Sequence, residues 1–438
     1  MSDVKNISDA TASSEATANT ALPDSGVEEQ TSKAGATFQM VYFLANLATN
    51  AILLPIIIYL IPHQIQALDP VNHVTSLGIV ESIGGIFYLI SAPLAGALSD
   101  RSTSRLGRRR FWMLIHMLCA SAVIVLLANA PTVWLIVVGW SLLQFFGAAL
   151  LTVIQAIIPD QVPVRRRGMI SAYAGLAIPL AAVLGGVVVA VIFKNTPVTS
   201  YYVFIVLLIV AVLLLFAILQ DRVLPKEAQA PFQFGQFLRR FWVDPREHPD
   251  FAWGLVTRLL LFLGYYAVSA YLQYYIQDGL HYARLFPGKE ALQGTLQVQS
   301  IMTIMILIFS FTAGIVSDRI GRRKPVVIAS ALLIAVALFV PAISPTWPAM
   351  QVFAVLLGAG YGGYLAVDTA LITQVLPSAN DRARDLGIIN LALSIPLIVS
   401  PILAATLVNS LGYPALFAVA GVLAALGGIL VLRIKSVR

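Results

Sequence analysis

Three ionisable residues stand inside otherwise apolar stretches of the sequence. Glu81 lies in GIVESIGGIFYLISAP, Arg258 in GLVTRLLLFLGYYAVSAYLQYY and Asp368 in GAGYGGYLAVDTALITQ. A charged side chain at the centre of a membrane helix costs about 2.5–3.5 kcal/mol on insertion scales, so residues of this kind usually have a function. Carboxylates bind and release protons, and a guanidinium pairs with a carboxylate or holds an anion. We therefore expect Asp368, and after it Glu81, to bind a proton, with Arg258 as a modulator or an anion partner.

Each of these residues also has a simpler explanation. Glu81 lies about six residues into its stretch, where a structural hydrogen bond or contact with the lipid headgroups accounts for it. Arg258 also lies near the end of its stretch, from which a long side chain can reach the membrane surface. Asp368 is predicted to be the deepest of the three, and its alternative role is a structural partner of a neighbouring helix. Glu81 and Arg258 are expected near opposite membrane surfaces, so they are not expected to pair.

Amide and aromatic side chains in the same stretches suit a sugar as the substrate. Amides form hydrogen bonds with hydroxyl groups, and aromatic rings pack against the apolar faces of a sugar. Asn and Gln also join membrane helices, and Tyr is enriched at membrane surfaces, so a structural role is the alternative. The candidate substrate-binding residues are Asn46, Asn50, Gln144, Gln155, Tyr265, Tyr361 and Tyr364.

The composition indicates the class of protein in which these residues lie. Hydrophobic residues make up 58% of the 438 residues and charged residues 11%, whereas soluble globular proteins carry roughly 25% charged residues. This balance excludes a cytosolic enzyme, a disordered scaffold and a nucleic-acid-binding protein, despite a net charge of +7. The single cysteine, Cys119, excludes an internal disulfide and a multi-cysteine metal site. The sequence predicts a polytopic protein of the lipid bilayer.

Twelve apolar stretches have the length of about 20 residues that a helix needs to cross roughly 30 Å of hydrocarbon. They lie near 38–61, 75–98, 111–129, 132–158, 169–193, 199–219, 251–276, 293–316, 325–343, 346–376, 387–409 and 412–433. Continuous rather than alternating hydrophobicity favours helices over a β-barrel. We expect an all-α membrane protein with a disordered tail at 1–36, a six-helix bundle at 37–219, a cytoplasmic linker at 220–250 and a second bundle at 251–438.

The distribution of positive charge predicts the orientation. With the N-terminus in the cytoplasm, the cytoplasmic tails and loops hold 24 of the 28 Lys and Arg residues. The external loops then hold only Lys194, Arg284 and Lys289, and Arg258 falls inside a span. The positive-inside rule favours this arrangement. Both termini are therefore expected on the cytoplasmic side of the plasma membrane.

The two halves of the chain repeat each other at an offset of 218 residues. SAPLAGALSDR at 91–101 corresponds to FSFTAGIVSDR at 309–319, and Pro159 corresponds to Pro377. Self-similarity at a fixed long period indicates an internal duplication. Duplicated helical halves are typical of transporters that rock around a site at the membrane midplane.

The loop after the second stretch reads GALSDRSTSRLGRRR and its partner in the second half reads GIVSDRIGRRK. Both resemble the G-x-x-x-D-R-x-G-R-R/K signature of the major facilitator superfamily. The glycines are expected to allow close helix contact, and the acids to pair with arginines and lock one face shut. The gating residues are Gly96, Asp100, Arg101, Gly107, Arg108 and Arg109 in the first copy and Gly314, Asp318, Arg319, Gly321 and Arg322 in the second.

The first copy is four residues longer than the second, and its D-R-x-x-S-R-x-G-R-R form resembles the glycoside–pentoside–hexuronide cation symporters and the related sucrose–proton symporters. The resemblance implies the major facilitator fold, a monomer and proton-coupled symport of a sugar or similar small polar solute. The paired aspartates of the melibiose-type sodium site are missing. The alternative is a proton-coupled antiporter that exports a drug, metabolite or lipid-like compound, which Pro179 and the following Gly185–Gly186 pair favour only slightly.

An enzyme is not expected. The chain has no G-x-x-x-x-G-K-[ST] loop for ATP, and the apolar stretches contain no nucleophile–base pair or metal cluster. We expect no cofactor and no metal, with protons and a small-molecule substrate as the partners.

Overall fold

The computed structural model describes residues 35–221, 248–372 and 382–435, and these residues form helices and no strand. The predicted tail at 1–36 and linker at 220–250 lie almost wholly outside the described residues. Twelve helices are long and apolar enough to cross a membrane. They are α1 Ala36–Leu68, α2 His73–Asp100, α3 Arg108–Ala128, α4 Val133–Gln161, α5 Arg165–Ile192, α6 Pro197–Ile218, α7 Pro249–Gly279, α8 Ala291–Ile320, α9 Lys324–Ile343, α10 Trp347–Ile372, α11 Arg382–Leu411 and α12 Tyr413–Arg433.

Each helix overlaps one predicted apolar stretch, in the same order, so the predicted all-α architecture is confirmed. Hydrocarbon offers no hydrogen-bond partner to a peptide group, and a helix satisfies these groups within itself. The helix ends use local devices. Thr132 accepts a hydrogen bond from the Leu135 amide at the start of α4, Glu290 and Gln293 form a capping box at the start of α8, and Gly321 ends α8 with a φ of 63°.

Successive helices run in alternate directions, so residues 35 and 435 lie at the same end of the bundle. We call this end the termini face and the opposite end, with loops 69–72 and 280–290, the distal face. Within the first half, α2 packs on α4, α3 on α4, and α1 on α5 and α6. Within the second half, α10 packs on α8 and α9, and α12 on α7 and α9. Each half therefore packs extensively within itself, and the buried apolar residues of the two halves form one continuous cluster.

The two halves meet along a seam formed by α2 with α11 and by α5 with α8. A Cβ atom at Gly78 would lie 3.1 Å from the Pro401 carbonyl oxygen, and one at Gly186 would lie 2.8 Å from the Leu296 side chain. These contacts lie in the distal halves of the helices. Toward the termini face, α5 and α8 are exposed at Met169, Leu176, Ile308 and Phe311. The described contacts between the halves therefore close the distal face, and α5 and α8 are exposed toward the termini face.

The glycine-rich sequence of α10 brings it directly onto the backbone of α8. A Cβ atom would lie 2.5 Å from the Met302 carbonyl oxygen at Gly358, and 2.5 Å from the Ile306 carbonyl oxygen at Gly362. The two glycines are four residues apart and share one helix face. Small residues at this spacing allow close approach of membrane helices.

We predict that Gly362→Ala lowers the stability of the protein, because the new methyl group meets a backbone atom that cannot move alone. Overpacking of this kind typically costs about 1–3 kcal/mol. The matched control is Gly175→Ala on α5, where a Cβ meets no heavy atom within 4 Å among the described residues. Thermal unfolding in detergent should show a lower melting temperature for Gly362→Ala only. Equal melting temperatures for the two variants would contradict the close contact.

Candidate functional site

Arg258 and Asp368, both predicted to be functional, form an ion pair between α7 and α10. The Arg258 Nε atom lies 3.3 Å from the Asp368 Oδ2 atom. The two residues are 5% and 4% exposed, so water does not solvate the pair. The sequence indicated the two residues separately but gave no signal that they face each other, since 110 positions separate them.

The hydrogen-bonding capacity of this pair is only partly used. Arg258 Nε and Nη1 and Asp368 Oδ2 are buried and have no hydrogen-bond partner of good geometry among the described residues. The Tyr364 side chain is within hydrogen-bonding reach of Asp368. Buried polar groups are normally satisfied, so unsatisfied groups in a native site point to a ligand, a proton or a change of partner.

A wall of aromatic rings lies beside the ion pair. The rings of Tyr265 and Tyr361 stack at 4.0 Å with an angle of 2° between their planes. The Phe262 ring meets Tyr361 and Tyr364 edge-on at 6.2 Å and 5.9 Å, and the Arg258 guanidinium lies 5.7 Å from the Phe262 ring. Three of the predicted substrate-binding residues, Tyr265, Tyr361 and Tyr364, are therefore in one cluster with the predicted coupling pair.

Tyr266 belongs to the same wall but was missing from the sequence prediction. Its ring lies 5.6 Å from Phe262 and 5.5 Å from Tyr265, and its side chain is within hydrogen-bonding reach of Tyr361. The sequence of α7 does indicate this contact in one respect: Phe262 and Tyr266 are four residues apart and therefore share a helix face.

The prediction that Asp368 is the deepest of the three ionisable residues stays a prediction, because the structure describes α10 only as far as Ile372. Asp368 lies 21 positions after the start of α10 at Trp347. Arg258 lies nine positions after the start of α7 at Pro249. With a rise of about 1.5 Å per residue, Arg258 lies roughly 14 Å from the start of α7 at the termini face, and its partner Asp368 lies beside it.

Glu81 lies apart from this cluster, in the distal half of α2. It is partly exposed and makes no hydrogen bond or ion pair among the described residues. Gly78 and Gly85, one turn away on either side, contact the Tyr271 hydroxyl on α7 and the Leu397 backbone on α11, respectively. Glu81 therefore lies at the seam between the two halves.

The predicted amides do not join the ion pair in the described part of the chain. Asn46 and Asn50 are buried on α1, and their amide groups donate to the Tyr42 and Asn46 carbonyl oxygens at 2.9 Å and 2.8 Å. Asn46 Oδ1 is buried without a hydrogen-bond partner. Gln144 is partly exposed, and Gln155 is exposed near the end of α4.

At the termini face, the first gating motif forms a charged cluster. Arg109 is buried and reaches the Asp100 carboxylate at 2.6 Å, the Asp160 carboxylate at 2.9 Å and the Ser99 hydroxyl. Arg108 also pairs with Asp160, at 2.6 Å. Arginine forms strong charge-assisted hydrogen bonds with carboxylates. The cluster ties α2, α3 and the end of α4 together.

The N-terminus of α3 is capped by a residue that is distant in the sequence. Asp221, just after α6, accepts hydrogen bonds from the Arg109 and Arg110 amides at 2.5 Å and 2.9 Å. A carboxylate at a helix N-terminus satisfies free amide groups and interacts favourably with the helix dipole. Gly107 has a φ of 106°, and a Cβ there would lie 2.6 Å from a carboxylate oxygen of Asp221. This explains the glycine in the motif.

The second copy of the motif is arranged differently. Asp318, Arg319, Gly321 and Arg322 are exposed. The residue that corresponds to Asp160 at the repeat offset is Ser378, which lies outside the described residues. The expected close helix contact at the motif glycines is not found, since a Cβ at Gly96 or Gly314 meets no heavy atom within 4 Å among the described residues. The reason is that the helices of the seam meet near the distal face.

Comparisons with known proteins agree with this architecture. The family model of the Major Facilitator Superfamily matches residues 39–298 and 288–438. Multidrug resistance protein MdtG from Salmonella choleraesuis (strain SC-B67) is 25% identical over 356 residues, which cover 78% of this chain and 81% of that protein. MdtG from Salmonella typhimurium (strain LT2) has the same identity and coverage.

Solved structures share the fold. The nucleoside transporter NupG superposes with a TM-score of 0.69 at 14% identity and covers 91% of this chain and 97% of its own. The peptide transporter POT, in complex with alafosfalin, gives a TM-score of 0.73 at 15% identity and covers 94% of this chain and 98% of its own. With a family model that matches both halves and twelve helices that can span a bilayer, the chain belongs to the Major Facilitator Superfamily.

Proposed function

We propose that this protein is a secondary active transporter that couples the movement of protons to the uptake of a sugar or similar small polar solute. The observation that carries the proposal is the buried, incompletely hydrogen-bonded Arg258–Asp368 pair beside a wall of tyrosines. An ion pair without water depends strongly on the charge of both partners. A proton on the carboxylate therefore removes the attraction that holds the two side chains together.

The pair supports coupling in two steps. While Asp368 is ionised, it holds the Arg258 guanidinium by electrostatic attraction across 3.3 Å. When Asp368 takes up a proton at Oδ2, the attraction is lost and Arg258 turns to another acceptor, such as a substrate oxygen. Proton binding and substrate binding then favour each other, which is the thermodynamic requirement for symport.

The tyrosine wall supports a polar ring-shaped substrate. Tyr265 and Tyr361 are both partly exposed, and their hydroxyl groups are donors and acceptors. Their ring faces offer an apolar surface at the same place. Asn46, whose Oδ1 is unpartnered, is the residue of the first half that we assign to the substrate, together with Asn50 and Gln144.

The distribution of contacts supports alternating access. With both termini in the cytoplasm, the closed distal face is external and the exposed ends of α5 and α8 face inward. The Asp100–Arg109–Asp160 cluster then acts at the cytoplasmic face, where its links change when that face closes. Twelve helices in two halves are sufficient for this motion in one chain, so the proposed unit is a monomer in the plasma membrane.

A second candidate is proton-coupled export of a drug or metabolite. It is favoured by the relatives at 25% identity, which are named multidrug resistance proteins. The same Arg258–Asp368 pair serves an antiporter if proton binding weakens substrate binding rather than strengthening it. Whether proton binding strengthens or weakens substrate binding therefore distinguishes uptake from export.

We predict that Asp368→Asn abolishes accumulation of solute driven by a proton gradient, because the amide mimics a permanently protonated acid. Exchange of labelled for unlabelled solute across the membrane should remain measurable. Asp250→Asn, which alters a carboxylate in the first turn of α7, is the control and should accumulate solute normally. Full accumulation by Asp368→Asn would remove Asp368 from the mechanism, and loss of accumulation only in Glu81→Gln would move the proton site to Glu81.

We also predict that the two members of the pair are energetically coupled. Arg258→Gln alone leaves a buried unpaired carboxylate, and removal of one partner of a buried pair typically costs about 3–5 kcal/mol. The double variant Arg258→Gln with Asp368→Asn carries no buried charge and should recover most of this stability. Thermal unfolding of both single variants and the double variant measures the coupling. Additive losses in the double variant would show that the pair is not the unit proposed here.

A further inference from the structure

A second ionic contact joins the two halves of the protein at the distal face. His73, the first residue of α2, places its Nε2 atom 2.9 Å from the Asp278 Oδ2 atom at the end of α7. Its other ring nitrogen, Nδ1, lies 2.9 Å from the Pro70 carbonyl oxygen. Tyr413 of α12 donates a hydrogen bond to the same Asp278 oxygen at 3.2 Å. The imidazole therefore connects a loop of the first half to α7, and the Asp278 carboxylate connects α7 to α12.

This geometry specifies the protonation state of the imidazole. A carbonyl oxygen and an ionised carboxylate are acceptors only, so each needs a donor N–H from His73. A neutral imidazole carries one N–H, and only the imidazolium carries two. Both contacts are therefore hydrogen bonds at the same time only when His73 holds an additional proton.

The contact lies within the closed seam. The Tyr274 ring packs edge-on against His73 at 4.6 Å, and the Tyr274 hydroxyl donates to the Pro62 carbonyl oxygen at 3.0 Å. Nearby, Asn409 of α11 donates to the Thr75 hydroxyl at 2.9 Å. The His73 and Asp278 side chains are 14% and 30% exposed, so a proton from solvent can reach them while the pair stays only weakly screened.

Several other titratable groups lie around the His73–Asp278 pair. Asp69, in the loop before His73, adds negative charge on that side and is itself bonded to Asn72 and Ser76. Around Asp278, the connection from α7 to α8 contributes His281 and Arg284. Deeper in the seam, Glu81 of α2 faces the Tyr271 and Tyr274 side chains. From α1, His63 lies within electrostatic range of Glu290.

We propose that His73 and Asp278 form a proton-binding latch that holds the distal face closed when His73 is doubly protonated. The proposal rests on the alternating access proposed above, but it concerns a proton site separate from Asp368. Loss of the proton removes one of the two hydrogen bonds and the charge on the ring. The latch then weakens and the distal face opens more readily.

The latch gives the transport cycle a direction when the distal face is external. Acid outside the cell protonates His73 and stabilises closure of that face, which commits the protein to opening toward the cytoplasm. A less acidic exterior releases the latch and returns the protein to the state open to the outside. The external pH then regulates the conformational equilibrium in addition to supplying the transported proton.

The test measures the distance across the distal face in the full-length protein. Spin labels are attached at Val71→Cys and Leu411→Cys, two exposed positions on opposite halves, in a Cys119→Ser background. Double electron–electron resonance in lipid nanodiscs then gives the closed-to-open ratio on either side of the usual imidazole pKa of about 6.5. We expect the ratio to fall at least about threefold from acidic to alkaline pH, as a charge-assisted hydrogen bond is exchanged for a weaker one.

Three variants of the same labelled protein test whether His73 and Asp278 cause the pH dependence of the closed-to-open ratio. His73→Gln keeps a donor but cannot be charged, so its closed-to-open ratio should not depend on pH between the two conditions. Asp278→Asn should favour the open state at acidic pH. The matched control is His281→Asn, on the same face, where the backbone φ of 50° tolerates asparagine, and it should keep the pH response.

A pH-independent ratio in the parent protein, or an unchanged response in His73→Gln, would overturn the latch. The measurement on the parent protein tests the pH dependence of the ratio even if a variant fails to fold. Because the distance measurement needs no substrate, it is separable from the proposed function. Normal accumulation by Asp368→Asn together with an intact pH response at the distal face would contradict the coupling role of Asp368 and leave the latch standing.

Discussion

The central physical constraint is that charges removed from water must be paired. Hydrocarbon neither hydrates an ion nor completes a hydrogen bond, so each buried charge needs a protein partner. Arg258 and Asp368 meet this constraint with each other, and they are 5% and 4% exposed. Their pairing ties α7 to α10 and places the tyrosine wall beside a buried carboxylate, the group that we propose takes up the proton. Both the charge balance of the site and the link between α7 and α10 therefore depend on the contact between Arg258 and Asp368.

The same constraint separates the two faces of the molecule. At the termini face, Arg109 joins two carboxylates of the first half, Asp100 and Asp160. At the distal face, His73 and Asp278 connect the first half to the second. Between them, α2 packs on α11 and α5 on α8, with glycines such as Gly78 and Gly186 at the contacts. The alternating access that we propose requires such contacts to separate on one face while the other face closes.

Much of the fold follows from the sequence, because the length of an apolar stretch and the position of positive charges carry direct physical information. All twelve helices were predictable in this way. Partners distant in sequence were not. Asp368 and Arg258 were identified singly, yet neither periodicity nor the repeat relates them. Asp221 as a cap for α3 and Asp278 as the partner of His73 carry no sequence signal, since each contact depends on how helices from different parts of the chain converge.

The central claim is that proton movement and solute movement are coupled at the Arg258–Asp368 site. The most direct measurement uses purified protein in liposomes that contain a pH-sensitive dye, with a panel of sugars added outside. The account predicts that one sugar acidifies the interior, and that liposomes without protein show no change. Alkalinisation of the interior, or proton movement triggered only by hydrophobic compounds under an imposed gradient, would contradict uptake of a polar solute and support export.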